Sequence, residues 1–265
     1  MNSECCCSSD KFRQPNAILF NILSCRGGSP ALRGEPGYGV ARPRSCPCQA
    51  RRTVRLKTPA ETCQMASGVL VKTVRFMKSL PCFCQLPPRD QLSLLGASWA
   101  PLFVVGLAQE GVDFEVVHAP GLSMLKRILL SGQGHGGDVG AEGAERAQPT
   151  LAGVHRLKSC LDKFWSLDLS PKEYAYLKGT ILFNPDVPEL KAAPFIEGLQ
   201  QEAQRALREV LLPLHPEDHG RFARILLAAS TLKAVTPDLV TELFFRPLIG
   251  QTDLPELLAD MLFSQ

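Results

Sequence analysis

Phe76-Met77-Lys78-Ser79-Leu80-Pro81-Cys82-Phe83-Cys84-Gln85-Leu86-Pro87-Pro88-Arg89-Asp90-Gln91-Leu92-Ser93-Leu94-Leu95-Gly96-Ala97-Ser98-Trp99 is the most informative stretch of the chain. Its first residues complete an apolar stripe. Ala66, Val69, Leu70, Thr73, Val74, Met77 and Leu80 recur at steps of three and four, which places them on one face of an α-helix. Upstream, Thr58-Pro59-Ala60-Glu61 reads as the start of that helix. Thr58 is the expected cap, Pro59 fills a first-turn position that needs no N–H, and Glu61 is spaced to reach back. Downstream, Ser170-Pro171-Lys172-Glu173 repeats the signal, and Thr236-Pro237 and Asp253-Leu254-Pro255-Glu256 are further caps. Three amphipathic segments lie between them. Leu151, Val154, Leu157, Leu161, Phe164 and Trp165 mark the first. Ile196, Leu199, Ala203, Leu207, Val210 and Leu211 mark the second, and Phe222, Ile225, Leu226, Ala229 and Leu232 the third. Only Val112-Asp113-Phe114-Glu115-Val116 alternates with the period of a strand. The expected fold is all-α, about nine or ten helices with one small β-hairpin, and no repeat at helical-solenoid periods.

Composition sets outer bounds. With 265 residues, 45% of them hydrophobic, the chain is long enough for one large core or two small ones. No uninterrupted apolar run reaches the roughly 18–20 residues of a membrane span. Met1-Asn2-Ser3-Glu4-Cys5-Cys6-Cys7 lacks the basic start and apolar core of a secretory signal. A net charge of +3 argues neither for nor against nucleic acid. None of the ten cysteines forms a C-x-x-C pair, so a zinc ribbon or finger is not expected. The cysteines read as reduced thiols, either incidental or with a labile metal or redox role. Residues 1–15 read as a disordered tail, 26–57 as a flexible basic and Gly/Pro-rich loop, and 131–148 as a mobile Gly-rich loop. Arg42, Arg44, Arg51, Arg52, Arg55 and Lys57 either aid nuclear import or touch phosphate, or form a solvated linker face. The histidines, at 118, 135, 155, 215 and 219, are scattered, and no Gly-x-Ser-x-Gly elbow accompanies them, so no catalytic residues and no metal site are expected.

The order of elements in 76–99 resembles the signature of nuclear-receptor ligand-binding domains. That signature has an aromatic and a lysine ending a helix, a Pro-x-Phe turn, Leu-Pro, and Asp-Gln followed by Leu-Leu and a tryptophan. A second block, from Leu167-Asp168-Leu169-Ser170-Pro171-Lys172-Glu173-Tyr174 to Leu182-Phe183-Asn184-Pro185-Asp186, is similar to a block of the same family. The resemblance covers about residues 58–265, extended to 16–265 when the apolar island at 16–23 is included. It implies the family's helical sandwich. Within the family, the nearest likeness is to orphan receptors that lack a DNA-binding domain. Ser230-Thr231-Leu232-Lys233 and Phe245-Arg246-Pro247-Leu248-Ile249-Gly250 add to that likeness.

The resemblance also implies how partners are held. In the family a short L-x-x-L-L helix lies in an apolar groove, its leucines on one face. A lysine holds the peptide helix's C-terminal carbonyls and an acid on the last helix holds its N-terminal N–H groups. Lys78 matches the clamp lysine and Asp260 the acid, one methylene shorter than the usual glutamate. Leu257, Leu258, Met261 and Leu262 match the apolar positions of the last helix, and Gly96 stands where a second basic residue is common. Lys78 and Asp260 are either this clamp or two solvated surface charges. The weakened clamp is expected to serve corepressors more than coactivators. The chain also offers groove-type segments of its own. Leu19, Ile22 and Leu23 form one such triad, isolated among breakers. Leu125, Ile128 and Leu129 form a second, which either docks or faces the core. Leu254-Pro255-Glu256-Leu257-Leu258 fits the same string within the last helix. Where some relatives anchor an acidic ligand with arginine, this chain has Glu110.

The function implied is that of a non-enzymatic transcriptional corepressor without direct DNA or membrane binding and without a cofactor. It would heterodimerise with other nuclear receptors through its LxxLL-like helices, compete with coactivators, and recruit corepressors and histone deacetylase complexes. Its expected setting is nucleus and cytoplasm, and its expected genes those of bile-acid, cholesterol and lipid metabolism. The alternative is a receptor module gated by a small lipid ligand.

Overall fold

A computed structural model describes residues 53–119 and 148–264 of the chain. Regular structure begins inside the stretch expected to be a loop. Strand β1 (Val54–Leu56) alternates buried Val54 and Leu56 with exposed Arg55. It pairs antiparallel with β2 (Val116–His118), with Leu56 opposite Val116 and Val54 opposite His118. The small sheet is therefore present, but its strands lie far apart in the chain rather than a turn apart. The alternation at 112–116 does hold in burial: Val112 and Phe114 are inside, Asp113 and Glu115 outside. The paired strand starts only at its last residue, because β1 is short and its partner must sit opposite it.

Helices follow in the order α1 (Pro59–Lys78), α2 (Pro81–Cys84), α3 (Pro88–Gln109), α4 (Leu151–Leu167), α5 (Pro171–Leu182), α6 (Ala193–Leu214) and α7 (Arg221–Ser230). A 3-10 turn at Thr231–Ala234 then leads to α8 (Pro237–Val240), a π turn at Thr241–Phe245, α9 (Arg246–Ile249) and α10 (Leu254–Phe263). Central α3 packs against α1, α4, α5 and α10, which makes it the middle layer of a helical sandwich. By length and composition α3 is apolar enough to cross a membrane, with a mean hydropathy of 1.5 in its most apolar window. Polar Gln91 and Ser98 interrupt its apolar run in sequence, and in the fold it is the core helix, largely buried.

The apolar stripe read from 66 to 77 is the buried face of α1. It approaches α3 closely at Gly106, where a Cβ would stand 2.6 Å from Val69 Cγ1. Aromatic rings fill the space beyond. Phe103 meets Phe244 and Phe245 edge-on at 5.6 and 5.2 Å, and Phe114 meets Phe244 at 5.1 Å.

The caps differ in outcome. Ser170 and Glu173 form the full reciprocal box at the start of α5, with Glu173 N–H to Ser170 Oγ at 3.3 Å and Ser170 N–H to Glu173 Oε2 at 2.7 Å. Thr236 Oγ1 accepts from Leu239 N–H at 3.3 Å. At α1 the expected box does not form. Thr58 sits at φ −119°, ψ 75°, its side chain caps nothing, and its hydroxyl meets that of Thr62 instead. Asp253 likewise makes no side-chain cap at α10.

Glu173 has a second use. Fully buried, it accepts from Arg221 Nε at 2.7 Å, while Arg221 Nη2 donates to the Asp168 carbonyl at 3.2 Å. This pair ties α5 to the start of α7. Burial alone would push the Glu173 carboxyl up. The Arg221 guanidinium and the Ser170 cap outweigh it and hold the group below the usual carboxylate range.

Candidate functional site

The candidate site lies where the end of α1, the short α2, the start of α3 and the last helix α10 come together. Each piece of the signature stretch has a structural task there. Lys78 is the final residue of α1, which Ser79 terminates. Leu80-Pro81 turns the chain into α2, and Phe83 anchors it, wholly buried. Gln91 bridges α2 and α3: its Nε2 donates to the carbonyls of Cys84 at 3.2 Å and Leu86 at 2.9 Å. Buried Asp90 accepts from the N–H groups of Lys191 (3.1 Å) and Ala192 (2.8 Å), which pins the entry to α6 onto α3. Asp90 and Gln91 are thus positioning residues: Gln91 fixes α2 against the start of α3, and Asp90 fixes the entry to α6 there.

On that platform lies α10. Leu254, Leu258 and Leu262, four residues apart, are buried, and Met261 packs half-buried beside them. Leu257 is half-buried and Asp260 exposed. The helix packs on α1 and α3. Its C-terminal end meets Lys78, whose Nζ donates to the carbonyls of Ser264 at 2.5 Å and Met261 at 3.3 Å. A helix C-terminus carries carbonyls with no partner inside the helix and a partial negative charge, so an ammonium group is a natural cap there.

This arrangement differs from the clamp expected from sequence. Two charges that bracket a bound helix must stand a helix length apart, on the order of 10–15 Å for seven to ten residues at 1.5 Å rise. Here Lys78 holds the carbonyl of Met261, the residue next to Asp260. The Asp260 carboxylate makes no hydrogen bond or ion pair among the described residues. Leu258 and Leu262 face the core side of α10 and are not free groove walls. The reason is that α10 ends at Phe263 within reach of Lys78, and its last carbonyls have no partner inside the helix. The carbonyl of Ser264 is the ligand of Lys78 that sequence reasoning missed. The available signal was the end of the α10 pattern at Phe263, which leaves backbone carbonyls beyond it.

The remaining expected positions divide. Leu19, Ile22 and Leu23, and Leu125, Ile128 and Leu129, lie outside the described residues. Gly96 is exposed, and no atom lies within 4 Å of the point where a Cβ would stand, so a methyl group fits there without collision. Glu110 ends α3 at the surface, paired with Lys72 at 2.6 Å, and does not face the interior. Two open clefts flank the core. One of about 340 Å³ is lined by Ser98, Pro101, Thr180, Gln200 and Lys233, and one of about 390 Å³ by Val54, Leu56, Pro59, Glu242 and Leu243. Among the described residues no cluster of His, Cys, Asp and Glu is arranged to hold a metal ion.

The comparisons with known proteins agree with this architecture. The family model of the ligand-binding domain of nuclear hormone receptor matches residues 50–129 and 144–249. The chain is 54% identical to nuclear receptor subfamily 0 group B member 2 of Rattus norvegicus over 245 residues, 92% of each chain. It is 53% identical to the Homo sapiens protein of the same name over 247 residues, 93% of this chain and 92% of that one. Nuclear receptor subfamily 0 group B member 1 of Callithrix jacchus is 38% identical over 277 residues, which cover 98% of this chain and 58% of that longer protein.

Proposed function

The chain belongs to the nuclear hormone receptor family, a non-enzymatic class of transcription regulators, and from that premise we propose that it is a corepressor acting on other nuclear receptors. One observation carries the reading. Lys78, the residue that would hold a coactivator helix, is engaged by the chain's own Met261 and Ser264 carbonyls. A receptor in this state offers coactivators no basic end-cap. Its sequence does carry LxxLL-like triads of the kind that would suit the groove of another receptor, at Leu19, Ile22 and Leu23 and at Leu125, Ile128 and Leu129. The chain enters its partner's groove, excludes coactivators, and brings corepressors and histone deacetylase complexes to the partner's genes. As part of the same proposal, those genes are ones of bile-acid, cholesterol and lipid metabolism, and the protein works in nucleus and cytoplasm. The edge-on packing of Phe103, Phe114, Phe244 and Phe245 weighs against the competing reading of a lipid-gated module, because side chains occupy that interior.

Capture of agonist-loaded receptor ligand-binding domains tests this. Replacing Leu19 and Leu23 by Ala removes two apolar anchors of roughly 1.5–3 kcal/mol each, so binding should fall well over tenfold. Normal capture by the double variant would reject the assignment to 19–23.

A further inference from the structure

The cleft of about 340 Å³ takes none of its lining from α1, α2, α10 or the aromatic cluster. It opens between the first half of α3, the end of α5, the loop that follows it, α6 and the end of α7 with its 3-10 turn. Its floor is apolar: Leu182 and Leu232 are buried and Val187 half-buried. Two opposite charges line the same cleft, Lys233 and Asp186, both exposed. Neither the Lys233 ammonium nor the Asp186 carboxylate makes a hydrogen bond or ion pair among the described residues. Asp186 engages only through its backbone, whose N–H donates to Asn184 Oδ1 at 3.1 Å. In the same loop Glu189 does find a cation, Arg89. Opposite charges that share a cleft and stay apart leave room for a molecule that bears both.

Neutral groups with open valences complete the lining. Gln200 Nε2 donates to the Thr180 carbonyl at 3.2 Å, which fixes the amide and leaves Oε1 free to accept. Asn184 spends Oδ1 on the Asp186 N–H, which leaves Nδ2 free to donate. Pro101 lies inside α3 on the cleft wall. It has no N–H, so the carbonyl of Ala97, four residues back and also on the wall, loses the donor it would have in an unbroken helix. Acceptors at Gln200 and Ala97 and a donor at Asn184 complement an amide, which offers one N–H and one C=O.

We propose that this cleft is a binding site for a small zwitterion with an apolar body, of the dipeptide class. The ammonium group goes to Asp186, the carboxylate to Lys233, the amide lies between them, and the side chains cover Leu182 and Leu232. The volume is at the small end of ligand clefts, which span roughly 300–1,000 Å³. The apolar floor supplies most of the affinity and the two charges the selectivity, because exposed ion pairs contribute little each. The site is separate from the receptor-binding triads, so its occupancy and receptor capture can be measured independently.

Heteronuclear NMR titration of the full chain with leucyl-leucine tests this. Saturable shifts should centre on residues 97–101, 180–187 and 229–233. Lys233→Met and Asp186→Asn should each weaken binding about three- to fivefold, the upper range of an exposed ion pair. Both side chains are exposed, so these variants should melt like the unaltered chain. N-acetyl-leucyl-leucine, which lacks the ammonium, should bind the unaltered chain about as weakly as leucyl-leucine binds Asp186→Asn. It should lose nothing further on that variant, since the same contact is already gone. Leucyl-leucinamide, which lacks the carboxylate, should behave in the same way toward Lys233→Met. Absence of saturable binding, shifts centred elsewhere, or blocked peptides that bind as well as leucyl-leucine would each overturn the proposal. So would losses that simply add when a blocked peptide meets its matching variant. Should a variant melt lower than expected, the blocked peptides on the unaltered chain decide.

Discussion

Arg221 shows how much of this molecule rests on single side chains. It is the only cation bonded to Glu173 within hydrogen-bond distance among the described residues, with His215 at 3.8 Å the next nearest basic group. Arg221→Met leaves a buried carboxylate unpaired, and loss of one partner from such a pair typically costs about 3–5 kcal/mol. The pH dependence follows from the lowered pKa of Glu173, which Arg221 and the Ser170 cap hold down against burial. In the native chain the pair's contribution is complete above the ordinary carboxylate value of about 4.3 and is lost as pH falls through the lower folded value. In the variant burial dominates, the carboxyl rises, and protonation relieves it. Urea unfolding at pH 7 and pH 5 should therefore show the gap between native and variant chains shrinking in acid. A gap that is constant or widens would mean that Glu173 is not charged and buried as described. At the candidate site the same scale matters: sequence reading expects Lys78 to hold a partner helix's carbonyls, and in the structure it holds those of the chain's own Met261 and Ser264, which carry no side-chain signature in sequence.

Among elements, α1 and α3 set the geometry on which the site stands. Their close approach depends on Gly106, because even a methyl group meets Val69 at 2.6 Å. Gly106→Ala should cost about 1–3 kcal/mol by overpacking. Gly96→Ala, on the open face of the same helix, should instead gain about 0.4–1 kcal/mol from reduced unfolded-chain entropy. Thermal denaturation of the two variants should shift in opposite directions, and equal shifts would contradict the assigned packing. Helices with strong periodicity, such as α1 and α4, were legible because burial of one stripe dictates the period. The box at Ser170 was legible and formed, whereas the same letters at Thr58 did not, because the chain enters α1 from β1 and the backbone at Thr58 is held elsewhere in φ, ψ space. β1 itself was hidden in basic, breaker-rich sequence, since the alternation of a three-residue strand is too short to stand out from its surroundings. The position of α10 was illegible for a different reason. Its apolar spacing gives the buried face but not the neighbour that receives its C-terminal end, and only the long-range contact with Lys78 supplies that.

At the scale of the whole molecule, the chain is a receptor ligand-binding domain whose last helix packs on α1 and α3 and is capped by Lys78. Its proposed output is therefore made in trans, by entering the groove of another receptor. The most direct test is competition: an agonist-loaded receptor ligand-binding domain holding a labelled coactivator helix, titrated with the full chain. The chain should displace the coactivator helix, and the Leu19→Ala, Leu23→Ala variant should need more than ten times the concentration, as loss of two apolar anchors dictates. A coactivator helix that stays bound at saturating chain, or that is itself recruited by the chain, would contradict the corepressor account.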